Sequence, residues 1–147
     1  MAKILVVHGL GMNMRGKVLV ERFGPSPLSE YDRKIAEFAS DLGVEVDTFV
    51  SNVEGEVIDR FYEAHDGDID AAIVNPSSYM TGYPGLVAAI GQVRFPTIEV
   101  HVTNPATRGV FSEIGSACSG VVTGFGIFGY FLALKGAVNL IAESAKG

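Results

Sequence analysis

Five short apolar runs, each followed by a segment with helical character, constrain the fold of this chain more than any other feature. The runs are KILVV, VEVDTFV, AAIVN, TIEVH and GVVTG, which begin at residues 3, 44, 71, 97 and 120. Their length and β-branched content are typical of strands buried on both faces of a sheet. The alternation predicts an α/β fold with a doubly wound, five-stranded parallel sheet and helices on both faces.

The segments between the runs carry helix signals. In SPLSEYDRKIAEFASDLG, Ser26 and Pro27 are expected to cap and start a helix, and Gly43 is expected to end it. Three more helices are predicted within SNVEGEVIDRFYEAHDG, YPGLVAAIGQV and GIFGYFLALKGAVNLIAES. The chain has no linker, internal repeat or low-complexity tract, so we expect residues 1–147 to form one domain.

Composition excludes several classes of partner. The net charge is −6 and the eleven Lys and Arg residues are scattered, which argues against a nucleic-acid surface. The single cysteine, Cys118, excludes an intrachain disulfide, and the three histidines lack metal-ligand spacing. The glycines after the first run match no nucleotide-binding loop, and the most apolar run is shorter than a membrane span. We therefore expect a cytoplasmic protein that binds a small molecule and uses no metal or cofactor.

Parallel α/β sheets place their ligands beyond the carboxyl ends of the strands. Polar residues follow four of the five runs at these positions, and we expect their side chains to converge on one rim. The set is His8, Asn13, Asn52, Glu54, Asn75, Glu99, His101 and Asn104.

Glu99 and His101 are the best acid/base candidates on this rim. Side chains two residues apart in a strand share a face, so the carboxylate can orient the imidazole and support its charged form. The alternative is a buried Glu–His pair whose two side chains satisfy each other's hydrogen bonding and have no catalytic role. Asparagines 13, 75 and 104 could anchor hydroxyls, a water or an oxyanion, although asparagine after a strand is also common in turns.

Along its whole length the chain resembles the type II 3-dehydroquinate dehydratase family. The resemblance rests on KILVVHGLGMNMRG, FVSNVEGEVID, NPSSY, IEVHVTN and GFGIFGYFLAL, which occur in the order typical of that family. It implies a flavodoxin-like fold, an anti elimination of water through an enolate without a cofactor, and homo-oligomers in which trimers assemble into dodecamers.

The resemblance also implies roles for single residues. Asn13 would hold the water that stabilises the enolate, and His101 with Glu99 would protonate the departing hydroxyl. Asn75 would bind a ring hydroxyl. The backbone around Val102 and Thr103 would receive the substrate carboxylate.

Several positions depart from the family pattern. Phe23 aligns with the tyrosine that acts as the catalytic base, and Val18 aligns with the arginine that supports it. The chain therefore reads as a diverged member that lacks the usual catalytic Tyr and Arg. The other departures are Thr81 for a histidine, Ala88 for an aspartate that acts across subunits, and Ser112 for a substrate-binding arginine.

Other residues could replace the missing groups. Arg15 or Arg22 could bring a guanidinium into the site, Tyr79 or Tyr83 could bring a phenol from the opposite wall, and His8 is a second possible base. Arg108 matches a family arginine.

Three functions stay open. The first is acid/base chemistry on a small oxygenated substrate other than 3-dehydroquinate, by elimination, hydration, isomerisation or ring opening. The second is a non-catalytic binding or assembly subunit. The third is genuine 3-dehydroquinate dehydration with a substituted base.

Overall fold

The computed structural model describes residues 1–146, and its centre is a parallel sheet. The five strands are Lys3–Leu10 (β1), Glu45–Val50 (β2), Ala71–Ser77 (β3), Thr97–His101 (β4) and Gly120–Thr123 (β5). They lie in the order β2-β1-β3-β4-β5, and every neighbouring pair is parallel. The predicted α/β fold with a doubly wound sheet is confirmed.

Helices connect the strands. They are Val20–Phe23 (α1), Leu28–Leu42 (α2), Glu54–Asp66 (α3), Pro84–Gln92 (α4) and Gly129–Lys146 (α5). Gly43 ends α2 as predicted, with a φ of 69° that glycine adopts without steric cost. The start of α2 was predicted one residue too early, because Pro27 is extended at a ψ of 168° and itself occupies the cap position.

The sheet separates two apolar cores because successive side chains of a strand point to opposite faces. Ile4 and Val6 of β1 pack on the face covered by α2 and α5, and Leu5 and Val7 pack on the face covered by α3 and α4. Burial on both faces is therefore confirmed for the central strands. The edge strands β2 and β5 are only partly buried, since each lacks a neighbour on one side.

The segment Gly126–Lys146, which contains α5, is long and apolar enough to cross a membrane by length and composition alone. The core helix of a soluble protein passes the same test. One face of α5 belongs to the core beside β3 and β4, which accounts for part of its apolar content. The buried residues of that face include Tyr130, Ala133, Leu134 and Ala137.

The strand order reverses between β1 and β3. The chain leaves β1 for β2 on one side and returns to β3 on the other, so the loops after β1 and β3 diverge. Such a divergence leaves a crevice at the carboxyl ends of the strands, where α/β proteins bind their ligands.

Candidate active site

A pocket of about 320 Å³ lies at this crevice. Its walls come from the segment after β1, the end of β3 and the segment after β4. The polar side chains that line it are Arg15, Arg22, Asn75, Ser77, Ser78, His101, Thr103 and Arg108.

The Glu99–His101 pair lies at the inner edge of this pocket. Both residues belong to β4, and Glu99 is fully buried while His101 reaches the pocket wall. The imidazole Nε2 is hydrogen-bonded to Glu99 Oε2. Glu99 Oε1 is buried and has no partner among residues 1–146. An imidazole held by a buried carboxylate and open to a cavity has the arrangement of a general acid or base.

Arg15 enters the pocket from the loop after β1. It is only 5% exposed, and its guanidinium carbon lies 3.6 Å from the centroid of the Phe23 ring. Its Nε donates to Met12 Sδ at 3.2 Å and its Nη2 donates to Ser77 Oγ at 3.5 Å. Burial lowers the pKa of Arg15 from its usual value, while the Tyr31 and Tyr130 hydroxyls act in the opposite direction. The side chain still carries its charge, because arginine does not lose its proton in proteins.

Two further guanidinium groups line the same pocket. The Arg22 guanidinium carbon lies 5.9 Å from the Phe23 centroid, so Arg15 and Arg22 both contact this ring region. Arg108 is at the end of the Pro105–Arg108 turn and donates from Nη1 to Thr103 Oγ1 at 3.2 Å. Arg108 thus lies beside the Val102 and Thr103 wall, which lines the pocket as expected.

Backbone strain is concentrated at this pocket. Within residues 1–146, two non-glycine residues have a positive φ, Leu19 and Ser77, each at 51°. Both line the pocket. Such conformations cost roughly 1–3 kcal/mol each and cluster at ligand sites, so their position favours a functional pocket over a packing defect.

Asn75 lines the pocket, but its amide is already engaged. Its Nδ2 donates to the Tyr130 hydroxyl at 2.9 Å, and its Oδ1 accepts the Ser77 backbone N–H at 3.2 Å. Complete burial is the main reason that the pKa of Tyr130 is raised, which keeps that hydroxyl neutral. In this arrangement Asn75 supports the strained turn at the end of β3.

Asn13, Asn104 and His8 do not line the main pocket. Asn13 is exposed and accepts a hydrogen bond from Asn52 Nδ2 at 3.1 Å. Asn104 accepts the Ala106 backbone N–H at 3.2 Å, which is the turn role considered for it. His8 is buried behind the pocket, with Nε2 2.7 Å from Asp32 Oδ1. Of the side chains expected to converge on one rim, Asn75, Glu99 and His101 lie together. Asn104 borders only a neighbouring pocket. The others lie outside the main pocket because they bind elsewhere: Asn13 and Asn52 bind each other, Glu54 accepts the Leu86 backbone N–H, and His8 binds Asp32 of α2.

The two candidate tyrosines also lie outside the pocket lining. Tyr79 is buried and donates its hydroxyl to the Ser51 carbonyl at 3.1 Å, and Tyr83 packs edge-to-face against it at 4.9 Å between centroids. Burial, followed by the neighbouring Tyr83, Glu54 and Glu56, raises the pKa of Tyr79 to about 12. No phenol therefore belongs to the described lining, where Phe23 and Val18 stand instead.

The other positions at which the sequence analysis expected departures from the family have separate surroundings. Thr81 and Ala88 are exposed and do not line the main pocket. Ser112 borders a neighbouring pocket of about 230 Å³ that also reaches Asn104 and the Glu99–His101 pair. Residues 1–146 contain no group of three or more His, Cys, Asp and Glu side chains placed to hold a metal ion.

Sequence reasoning missed Ser77 and Ser78 and did not distinguish Arg15 from Arg22. A serine after Asn-Pro carries no signal for a positive φ, so the sequence offered no means of finding the turn. The position of Arg15 depends on Met12 and Phe23 packing around its stem and plane, which is a tertiary effect.

The molecule is an α/β protein with a pocket at the switch point of its sheet, and a carboxylate-supported imidazole lies at the edge of that pocket. Residues 2–138 match the family described as dehydroquinase class II. The chain belongs to this family.

Similarity to individual proteins and solved structures supports this assignment to the family. The chain is 38% identical over 144 residues to the 3-dehydroquinate dehydratase of Syntrophotalea carbinolica, covering 96% of this chain and 97% of the relative. Among solved structures, the type II dehydroquinase from Butyrivibrio crossotus superposes with a TM-score of 0.89 at 28% identity, covering 93% of this chain and 97% of that one. A 3-dehydroquinate dehydratase-like protein from Bifidobacterium longum superposes with a TM-score of 0.75 at 27% identity, covering 97% and 99% of the two chains.

Proposed function

We propose that this chain is a lyase-like enzyme that removes water from a small hydroxylated carboxylic acid. The buried Glu99–His101 hydrogen bond beside an arginine-lined pocket carries the proposal. His101 protonates the departing hydroxyl, and the Glu99 carboxylate orients the ring and balances its charge. Such acid assistance typically contributes about 10²–10⁴-fold to a rate.

The relatives support 3-dehydroquinate as the first substrate to test. Those at 34–38% identity share the name 3-dehydroquinate dehydratase. Val102, Thr103 and Arg108 form a wall where a substrate carboxylate can be bound. In dehydration the carbon next to the carbonyl would lose its proton to a water molecule, since no phenol belongs to the described lining, and an enolate would form. The enolate would then re-form the carbonyl as the hydroxyl leaves as water with the proton from His101.

The missing phenol favours a second candidate. Phe23 and Val18 line the pocket. The sequence resemblance aligns them with the family's catalytic Tyr and Arg, and on that alignment we propose that the chain is a diverged member. A substrate whose proton is more acidic, or whose hydration, isomerisation or ring opening needs chiefly an acid, would not require that tyrosine. The second candidate is therefore the same acid chemistry on another small oxygenated acid.

The test is incubation of the purified protein with 3-dehydroquinate, followed by ultraviolet absorbance of the conjugated product. An active type II dehydroquinase is the positive control, and the variants are His101→Ala and Glu99→Gln. Glu63→Gln, which removes an exposed carboxylate from α3, is the matched control. We expect turnover that both active-site variants lose and the control keeps.

The other outcomes separate the candidates. Turnover that survives His101→Ala would contradict the proposed acid. A flat trace from the unaltered protein would remove 3-dehydroquinate and leave the second candidate. Ligand binding without turnover on any tested acid would favour a non-catalytic binding or assembly subunit.

We also propose that the chain forms one domain and is cytoplasmic. We further propose that it forms homo-oligomers in which trimers assemble into a dodecamer. Large apolar side chains stay exposed in and around β5, which supports contact with further copies. They are Phe111, Val121, Phe125 and Phe128. Light scattering coupled to size-exclusion chromatography measures the assembly, and a monomer would contradict this proposal.

A further inference from the structure

The main pocket holds a buried cation that the protein itself leaves largely unsatisfied. A guanidinium has five N–H donors in its plane, and stacking on an aromatic ring satisfies only its face. Two donors of Arg15 have acceptors: a thioether sulfur, which accepts weakly, and the Ser77 hydroxyl at 3.5 Å. No carboxylate among residues 1–146 forms an ion pair with Arg15. A cation on a residue that is only 5% exposed normally has such a partner.

The rest of the lining increases the positive charge. Arg22 and Arg108 also line the pocket, neither forms an ion pair within the described part of the chain, and no Asp or Glu belongs to the lining. This contrasts with a whole chain whose net charge is −6. Three guanidiniums in one pocket of an acidic protein are a local field that favours anions.

The arginines come from two walls. Arg15 and Arg22 flank Phe23 on the segment after β1, whereas Arg108 lies beside Thr103 on the segment after β4. The Arg108 wall is where the proposed function places the substrate carboxylate. Arg15, on the other wall, is then free to bind a second acidic group.

We propose that this pocket selects a small molecule with two anionic groups, a dicarboxylate or a carboxylate joined to a phosphate, with the second group bound by Arg15. The inference rests on the proposed function only for the first carboxylate at Arg108. Because 3-dehydroquinate carries a single carboxylate, the inference favours the second candidate of the proposed function, another small oxygenated acid, over the substrate of the named relatives. Arg15 is in this role a specificity-determining residue.

The test is calorimetric titration of the intact protein with two matched pairs of probes. Succinate is compared with butyrate, and phosphoglycolate is compared with glycolate, so that each pair differs by one anionic group. We expect the dianion of at least one pair to bind about tenfold or more tightly than its monoanion, the factor expected of one charge-assisted hydrogen bond in a buried site. The pair with the larger preference distinguishes a carboxylate from a phosphate.

Variants test whether Arg15 causes the preference for dianions over monoanions. Arg15→Met keeps an apolar stem against Phe23 and should reduce the preference to about onefold, with monoanion affinity little changed. Lys34→Gln, an equal charge change on the exposed face of α2, should leave the preference unaltered. Circular dichroism checks that each variant is folded, and the comparison in the unaltered protein needs no variant.

Equal affinity for both members of each pair, or no binding by either dianion, would overturn the inference. A preference that persists in folded Arg15→Met would also overturn it. These outcomes are independent of turnover: dianion selectivity without 3-dehydroquinate dehydration would refute that first substrate alone, and dehydration without dianion selectivity would refute only the inference.

Discussion

Introducing a phenol at position 23, which the sequence resemblance aligns with the family's catalytic tyrosine, tests whether Arg15 can act as the supporting arginine. In Phe23→Tyr the new hydroxyl would extend from a ring whose centroid lies 3.6 Å from the Arg15 guanidinium carbon. With the cation directly above the ring, the phenolic oxygen would lie about 4.6 Å from it, and Coulomb's law then gives about 0.9–3.6 kcal/mol for effective dielectric constants of about 80 to 20. This energy corresponds to a lowering of the phenol pKa by about 0.7–2.7 units.

Spectrophotometric titration of phenolate absorbance, with the unaltered protein subtracted, measures this pKa. Burial opposes the lowering, so the informative quantity is the difference between Phe23→Tyr alone and Phe23→Tyr combined with Arg15→Met. We expect the pKa of the introduced phenol to be higher in the double variant by about 0.7–2.7 units. Glu63→Tyr, at an exposed position of α3, is the control for an ordinary phenol.

Turnover of 3-dehydroquinate provides a second measurement. If the introduced phenol acts as the missing base, the rate should rise by about 10²–10⁴-fold in Phe23→Tyr, and Arg15→Met should remove much of that gain. Equal pKa values in the single and double variants would refute the electrostatic reasoning. A lowered pKa without any gain in rate would show that the ring is not placed to reach the substrate proton.

Three further predictions concern the sheet, the cysteine and the buried histidine. Gly9→Ala should lower the free energy of unfolding by about 2–4 kcal/mol in denaturant titrations, because a Cβ there would lie 2.1 Å from the Pro76 carbonyl oxygen. In the control Gly55→Ala the new Cβ meets nothing within 4 Å, so that variant should be tolerated. Equal effects of the two substitutions would contradict the close approach. Burial, and then the charge of Glu99, raises the pKa of Cys118 to about 12. The folded protein should therefore react slowly with a thiolate-selective reagent near neutral pH, and the unfolded protein should react much faster. Rapid labelling of the folded protein would contradict this prediction. His8→Asn should lower the free energy of unfolding by about 1–3 kcal/mol, because the contact with Asp32 is lost. The affinity for the succinate and phosphoglycolate probes should stay unchanged. A large loss of that affinity would show that His8 belongs to the binding site.

Much of the fold could be predicted because its signals are local. The TIEVH run is a strand with the bounds expected from its letters, and Gly43 ends α2 through its own φ. The Glu99–His101 pair belongs with these successes, since two residues of one strand share a face whatever surrounds the sheet.

The directions of loop side chains could not be predicted in the same way. Asn13 follows β1 as expected, yet it is held on the surface by Asn52, a residue 39 positions away. His8 is hydrogen-bonded to Asp32 on α2, and the Tyr79 hydroxyl donates to the Ser51 carbonyl on the segment after β2. Each of these contacts depends on which segments become neighbours once the strand order is set.

The sequence by itself determined the parallel sheet, the edge at which the main pocket lies and the shared face of Glu99 and His101 on β4, because apolar periodicity and strand alternation are properties of consecutive residues. The tertiary structure decided the character of the pocket: a buried Arg15 against Phe23, with Arg22 beside it and Arg108 on the opposing wall. Hydrophobic patterning specifies which face of each element is buried, but the charge inside a cavity is the sum of side chains brought together from distant segments.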